Sequence, residues 1–252
     1  MSILAEKAAA LRNGLIDVLL PQDCLLCSAP SGRALICTDC ADALPRLTPP
    51  ACPRCAQPGG AGETCGRCLR HPPHFDRLIA VFPYTFPIDR MVQRLKYGHQ
   101  LALADWFGRQ LAAACADVAA DLIVPMPLHP KRMAERGFNQ AAEIARPLAQ
   151  ALVSHARHHQ SAARAAPTAS PALWHGCERV RQTTPQEGLT LRERRRNLRG
   201  AFACTADIAS RHVLLIDDVV TTGASADECA RTLKLHGAAQ VTVAAVARTL
   251  RR

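Results

Sequence analysis

The chain has 252 residues, a formal charge of +10 and only 4% aromatic residues. That length suits a small module followed by one larger domain. No window approaches the roughly 18 apolar residues that a membrane-spanning helix needs, which excludes that class of protein.

In residues 1–20, Leu4, Ala8, Leu11, Leu15 and Val18 recur at helical spacing and predict one amphipathic helix. Glu6, Lys7, Arg12 and Asp17 break up any signal-peptide core, so a cytoplasmic, reducing location is expected.

A cysteine-rich module over 21–70 follows. Cys24/Cys27, Cys37/Cys40, Cys52/Cys55 and Cys65/Cys68 form four Cys-x-x-Cys knuckles, and each cysteine of the second set lies 28 positions after its counterpart in the first. This is an internal duplication of a two-knuckle unit. Four thiolates match tetrahedral structural zinc, so two Zn²⁺ ions are expected, with no open position for catalysis. A disulfide framework is disfavoured in a reducing compartment. Spacing leaves open whether ligands are used consecutively or interleaved. Cys115, Cys177, Cys204 and Cys229 lack such spacing and read as small buried hydrophobes.

Residues 71–252 read as the larger domain. Leu78 to Tyr84 predicts a strand, and Ile88 to Lys96 and Leu101 to Ala116 predict helices. Asp121 to Val124 predicts a short strand capped by a proline-rich turn through Pro130, and Gln140 to Val153 a helix. The Ala-, Ser-, His- and Pro-rich stretch 154–172 has no periodicity and predicts a mobile insertion. Leu191 to Asn197 predicts a charged turn or helix. Strand 213–216, helix 226–236 and strand Gln240 to Ala247 close the chain. Strands alternating with helices imply a mainly parallel α/β sheet, with ligands at the carboxyl ends of its strands.

The stretch 213–225 carries the sharpest chemistry. Apolar Val213 to Ile216 runs into Asp217 and Asp218, then a small hydroxyl-rich turn, Thr221, Thr222, Gly223, Ala224 and Ser225, and then a helix. Such a turn offers backbone N–H groups to an anion, and paired carboxylates accept hydrogen bonds from neighbouring hydroxyls. A ribose 5-phosphate combines both. A P-loop NTPase would need a Gly-Lys pair, and the chain has none.

Eight thiolates (−8) holding two Zn²⁺ (+4) bring the net charge from +10 to about +6. The excess lies outside the zinc module, since residues 1–70 hold seven Arg/Lys and six Asp/Glu. It concentrates at Lys131, Arg132 and Arg136 and at Arg192, Arg194, Arg195, Arg196 and Arg199, which suit a polyanion. Arg outnumbers Lys 27 to 4, so a solvated face in an Arg-preferring proteome competes with that reading.

Further motifs occur in order: Leu95-Lys96-Tyr97-Gly98, Val124 to Pro130, Arg136-Gly137-Phe138-Asn139-Gln140, Arg181 with Thr184-Pro185-Gln186, Arg195-Arg196-Asn197, Gly200-Ala201-Phe202 and Leu215 to Val219. With the cysteine knuckles, they make the chain resemble the ComF (GntX-like) family from residue 21 to about 248. The resemblance implies a double zinc ribbon followed by a type I phosphoribosyltransferase-like parallel sheet flanked by helices. It implies binding of 5-phosphoribosyl-1-pyrophosphate (PRPP) with Mg²⁺. Asp217 and Asp218 would take the ribose hydroxyls and a Mg²⁺-linked water, and residues 221–225 the 5-phosphate. Leu128, His129, Lys131 and Arg132 would take pyrophosphate, Arg136 and Asn139 would belong to a flexible loop, and Lys96 would add a phosphate contact. The family is linked to competence, single-stranded DNA and a DNA helicase partner.

The position three residues after Asp218 holds Thr221 and no acid, which argues against 6-oxopurine salvage. The enzymatic reading, with transfer to an unspecified acceptor, stands beside a non-catalytic nucleic-acid-binding or PRPP-sensing protein and a nucleobase salvage enzyme.

Overall fold

The structure, a computed structural model, describes residues 22–159, 171–181 and 198–251. The predicted helix of 1–20, the charged segment 191–197 and most of the predicted insertion, 160–170, lie outside the described residues.

Two compact units meet between Pro45 and Arg46. In the first, β1 (Gln22–Asp23) pairs antiparallel with β2 (Pro30–Gly32), and α1 (Thr38–Ala43) follows. The second opens with the other cysteine pairs and α2 (Gly66–Arg70). The duplication is visible in the backbone: Cys37 and Cys65 occupy the same extended position before α1 and α2, at φ −63°, ψ 159° and φ −66°, ψ 153°.

The rest of the second unit is an α/β layer structure. Its strands are β3 (Arg77–Pro83), β4 (Leu122–Pro125), β5 (Ala172–Leu173), β8 (His212–Val220) and β9 (Gln240–Arg248), in a sheet of order β3-β9-β8-β4-β5 with every pairing parallel. A separate hairpin pairs β6 (Cys177–Arg179) with β7 (Phe202–Cys204). The helices are α3 (Ile88–Tyr97), α4 (Ala102–Ala114), α5 (Pro130–Arg136), α6 (Gln140–His159) and α7 (Ala224–Leu235).

Near-continuous burial of β9 reflects helices on both faces. Val213, Leu215, Val241, Val243 and Ala245 face one way, into a core with Cys229, Ala230 and Leu233 of α7 and Phe202 of the hairpin. Strand alternation turns Leu214, Ile216, Ala244 and Val246 to the opposite face, where α4 and α6 pack on the sheet and on each other.

Three differences from the sequence reading have physical causes. Strand β8 does not stop at Ile216: its register with β9 continues from Asp217 opposite Ala245 to Val220 opposite Arg248, so the two acids lie inside the strand. Helix α6 runs on to His159, taking 154–159 out of the predicted loop. The predicted turn gives way at Pro130 to helix α5, whose signals are local: His129 at the N-cap accepts from Lys131 N at 3.2 Å, Pro130 starts the helix, and Gly137 ends it at φ +80°.

Candidate functional site

The two metal sites come first, because their ligands are fully determined. Cys24, Cys27, Cys37 and Cys40 form one cluster and Cys52, Cys55, Cys65 and Cys68 the other, with all sulfur atoms of a set within 4.8 Å. Ligands are therefore used consecutively. The Cys27–Cys37 and Cys55–Cys65 sulfur separations are 3.8 and 3.7 Å. A tetrahedron built on Zn–S bonds of about 2.3 Å has edges of about 3.8 Å, so each cage fits zinc. In both repeats a backbone N–H steadies a sulfur: Cys37 N to Cys24 Sγ and Cys65 N to Cys52 Sγ, each 3.3 Å. Burial raises the Cys24 thiol, but hydrogen bonds from the backbone of Cys37, Cys27 and Leu26 outweigh it and bring the thiol down to about 6. Two structural zinc sites are the result.

The second centre lies at the carboxyl ends of β4 and β8. The chain leaves β4 toward β5 on one side and leaves β8 toward β9 on the other, so these neighbours form the point where an open α/β sheet creates a crevice. Asp217 lines a cavity there with Val219 to Ala226. Asp218 is 3% exposed, and its Oδ2 lies 2.7 Å from Lys96 Nζ of α3. The contact falls short of a directed hydrogen bond and is an ion pair. Burial pushes the Asp217 carboxyl well above its usual range, and the Asp218 charge adds to this against the opposing pull of Lys96. Burial lowers Lys96, but the charges of Asp218 and Asp217 win, and its pKa is raised. Lys96 therefore stays cationic beside the acids.

The turn after β8 has its own brace. Arg248, 1% exposed at the end of β9, donates from Nη1 to the carbonyls of Val220 at 2.7 Å and of Thr221, and from Nε to the carbonyl of Cys55 at 3.0 Å. Arg67 Nη2 donates to the Thr222 carbonyl at 3.3 Å. Gly223 takes φ +83° and starts α7, and Ala224 N donates to Thr222 Oγ1 at 3.3 Å. Asp227, in the first turn of α7, accepts from His74 N at 2.7 Å, and His74 Nδ1 lies 2.9 Å away.

Around the crevice, Leu128 and His129 are partly buried while Lys131 and Arg132 are exposed on α5. Asn139 ties the two sides of that loop together: its Nδ2 donates to Met126 O at 3.1 Å and its Oδ1 accepts from Ala141 N at 3.0 Å. Arg136 donates to Gln140 Oε1 at 2.6 Å and stacks 5.3 Å from the centroid of the exposed Tyr97 ring. Arg179 of the hairpin lies over Phe202 at 5.7 Å. Burial lowers its pKa, the Arg132 charge lowers it further, and the nearby Asp217 opposes both.

Residues 15–69 match the double zinc ribbon domain family. The chain is 35% identical over 248 residues to the DNA utilization protein YhgH of Salmonella typhi, covering 92% of this chain and 99% of that protein. The chain belongs to the YhgH/ComF family. Within that family it is also 29% identical over 196 residues to Competence protein F of Haemophilus influenzae, covering 74% and 79% of the two chains. Identity is 25% over 242 residues, or 86% and 90%, to Competence protein ComFC of Bacillus subtilis. The ComF resemblance read from the motifs is thus shown over 92% of the chain.

Sequence reasoning placed Asp217, Asp218, Lys96 and the 221–225 turn, and these converge. It missed Arg67, Arg179 and Arg248. Only Arg248 left a signal: a lone cation ending the apolar strand Val241 to Ala247 must find buried partners. Among the described residues no helix is long and apolar enough to cross a membrane.

Proposed function

We propose that this chain is a PRPP-binding protein that serves DNA uptake or the processing of internalised single-stranded DNA in the cytoplasm, and that it acts as a phosphoribosyltransferase. One observation carries the reading: two acids at the carboxyl end of β8, one paired with Lys96, adjoin a short turn leading into α7 at the crevice between β4 and β8. Ribose hydroxyls suit Asp217 and Asp218, and the 5-phosphate suits residues 221–225. Leu128, His129, Lys131 and Arg132 are the proposed pyrophosphate side, and Arg136 and Asn139 the adjoining loop. The names of the relatives, DNA utilization and competence proteins, support the DNA-related role.

In the proposed transfer, the bond from ribose C1 to pyrophosphate breaks, the acceptor forms a new bond to C1, and its proton leaves to solvent or a base. The work of the chain is positioning and electrostatic stabilisation of a cationic C1. Asp218, paired with Lys96, supplies negative charge beside the ribose, and Asp217, whose raised pKa favours its protonated form, joins it when a bound cation displaces that proton. A hard cation suits the partly exposed Asp217 carboxylate better than Asp218, which Lys96 already engages. Mg²⁺ there would neutralise the leaving pyrophosphate.

Titration calorimetry with Mg²⁺-PRPP tests the reading on zinc-loaded protein and on Asp217→Asn/Asp218→Asn. Micromolar binding that disappears in the variant is expected, followed by a search for acceptors that release pyrophosphate. Absence of binding by the unsubstituted chain would sink the reading. A non-catalytic nucleic-acid-binding protein that works with a DNA helicase, as the family resemblance implies, is then favoured by exposed Lys131 and Arg132 beside the Arg136–Tyr97 stack.

A further inference from the structure

We infer that Arg248 and Arg67 are positioning residues that aim the backbone of the 220–223 turn at a phosphate, and that the second zinc cage holds Arg248 in place to do so. The inference rests on the ribose-phosphate reading and adds to it a dependence of anion affinity on a metal site.

The argument starts from peptide geometry. Apart from two X-Pro bonds elsewhere, the described peptides are trans, and in a trans peptide the carbonyl and the N–H point in opposite directions. The carbonyls of Val220 and Thr221 accept from Arg248, and that of Thr222 accepts from Arg67. Three consecutive peptide units are thus turned with their oxygens toward two guanidiniums. The N–H groups of the same units belong to Thr221, Thr222 and Gly223, and they face the other way. Two hollows adjoin the turn, and Thr222, Gly223 and Ala224 line part of both. One is lined by Cys55, Arg67, Cys68 and Arg248, the other by Asp217 and Val219 to Ala226. Among the described residues no protein group accepts from these three N–H groups. Successive N–H groups pointing into one concavity form an anion-binding nest. Two guanidiniums behind the peptide planes add positive potential to it.

Arg248 reaches the turn from one end of β9, and its Nε is fixed by the carbonyl of Cys55. Cys55 is a ligand of the second cage. A neighbouring tie repeats the link, with Gln57 Nε2 donating to Thr249 O at 2.8 Å and Arg251 N donating to Gln57 Oε1 at 3.1 Å. Fork geometry matters here. Arginine can serve the turn from Nη1 and the knuckle from Nε at once, whereas a lysine ammonium offers one point. The second zinc cage is therefore a brace for the nest as well as a folding element.

The test compares two probes, Mg²⁺-PRPP and inorganic phosphate, titrated calorimetrically into zinc-loaded full chain and into Arg248→Lys, Arg67→Met and Asp217→Asn. Zinc content and circular dichroism are recorded for each. Arg248→Lys should lose affinity for both probes by on the order of tenfold, and Arg67→Met by several-fold, with two zinc ions retained. Asp217→Asn should weaken PRPP alone. Amide resonances of Thr221, Thr222 and Gly223 should shift in both arginine variants. An arginine that served stability alone would change the melting temperature and leave the phosphate affinity of the folded protein intact. If Arg248→Lys does not fold, Arg67→Met decides, because Arg67 is only partly buried. Unchanged phosphate affinity in the folded arginine variants overturns the inference alone. Failure of the unsubstituted chain to bind either probe overturns the ribose-phosphate reading and the inference together.

Discussion

Lys96 Nζ stands 2.7 Å from Asp218 Oδ2, with the lysine side chain 19% exposed and the aspartate 5%. A helix that follows the first strand of the sheet thus neutralises an acid in a strand more than a hundred residues later. Removing one partner strands a charge in a poorly solvated place, which costs more than the pair itself contributes. Lys96→Met should therefore destabilise the chain by about 3 kcal/mol, the lower end of the range for buried pairs because Lys96 retains some solvent. Lys96→Met/Asp218→Asn should cost less than the sum of the single changes. Denaturant unfolding of the four proteins checks this, and additive effects would show that the pair is not coupled.

Asp217 makes an opposite prediction for stability. Burial and the Asp218 charge raise its pKa, so the folded chain holds that proton more tightly than the unfolded chain. The group favours folding below the ordinary carboxylate range, and this advantage fades as pH rises through the raised folded value. Asp217→Asn removes that slope. At neutral pH its melting temperature should rise by about 2–4 °C, while PRPP affinity falls. Thermal melts across pH give the slope directly.

Metal content gives a third test. Elemental analysis should find two zinc ions in the native chain, and Cys52→Ser should keep one. Because Cys52 is buried with Cys55 and Cys68 in a small core of their own, its variant should also lose phosphate affinity through the Arg248 brace.

Gly108 of α4 packs against α6 so closely that an added Cβ would lie 2.7 Å from Ile144 O and 3.0 Å from Leu148 N. Backbone atoms cannot yield as a flexible side chain can. Gly108→Ala should destabilise by about 1–3 kcal/mol through overpacking, despite alanine's better helix propensity. A neutral or stabilising result in urea unfolding would contradict this packing.

Single-stranded DNA binding should fall with salt if phosphates are engaged. Replacing Lys131 and Arg132 with Ala should reduce the logarithmic salt slope by about 1.4, or about 0.7 for each lost contact. An unchanged slope would remove α5 from the DNA-binding surface.

The legible parts of this protein were those whose physics is local. Cys-x-x-Cys spacing brings two sulfurs to one ion within a few residues, so the ligands could be named from the sequence. Their consecutive pairing could not, because spacing alone does not exclude interleaved use. Asp217, Asp218 and the 221–225 turn follow one another in the chain, so a strand, a turn and a helix start placed them together. The parallel sheet was legible too, since apolar runs alternated with helical periodicity. The missed hairpin of Cys177–Arg179 and Phe202–Cys204 depends on pairing across more than twenty residues, which no local pattern records.

By itself the sequence determined two metal cages, an acid pair beside a small turn, and the α/β order of the chain, because each is written in contiguous residues or fixed spacings. Only the tertiary structure decided what surrounds the turn. Arg248 meets Cys55 across 193 positions, and Arg67 meets Thr222 across 155. Those contacts exist because β9 runs beside β8 and ends under the turn, next to the second zinc cage. A buried guanidinium must satisfy its donors on whatever carbonyls the sheet register delivers, and that register is a property of the folded chain.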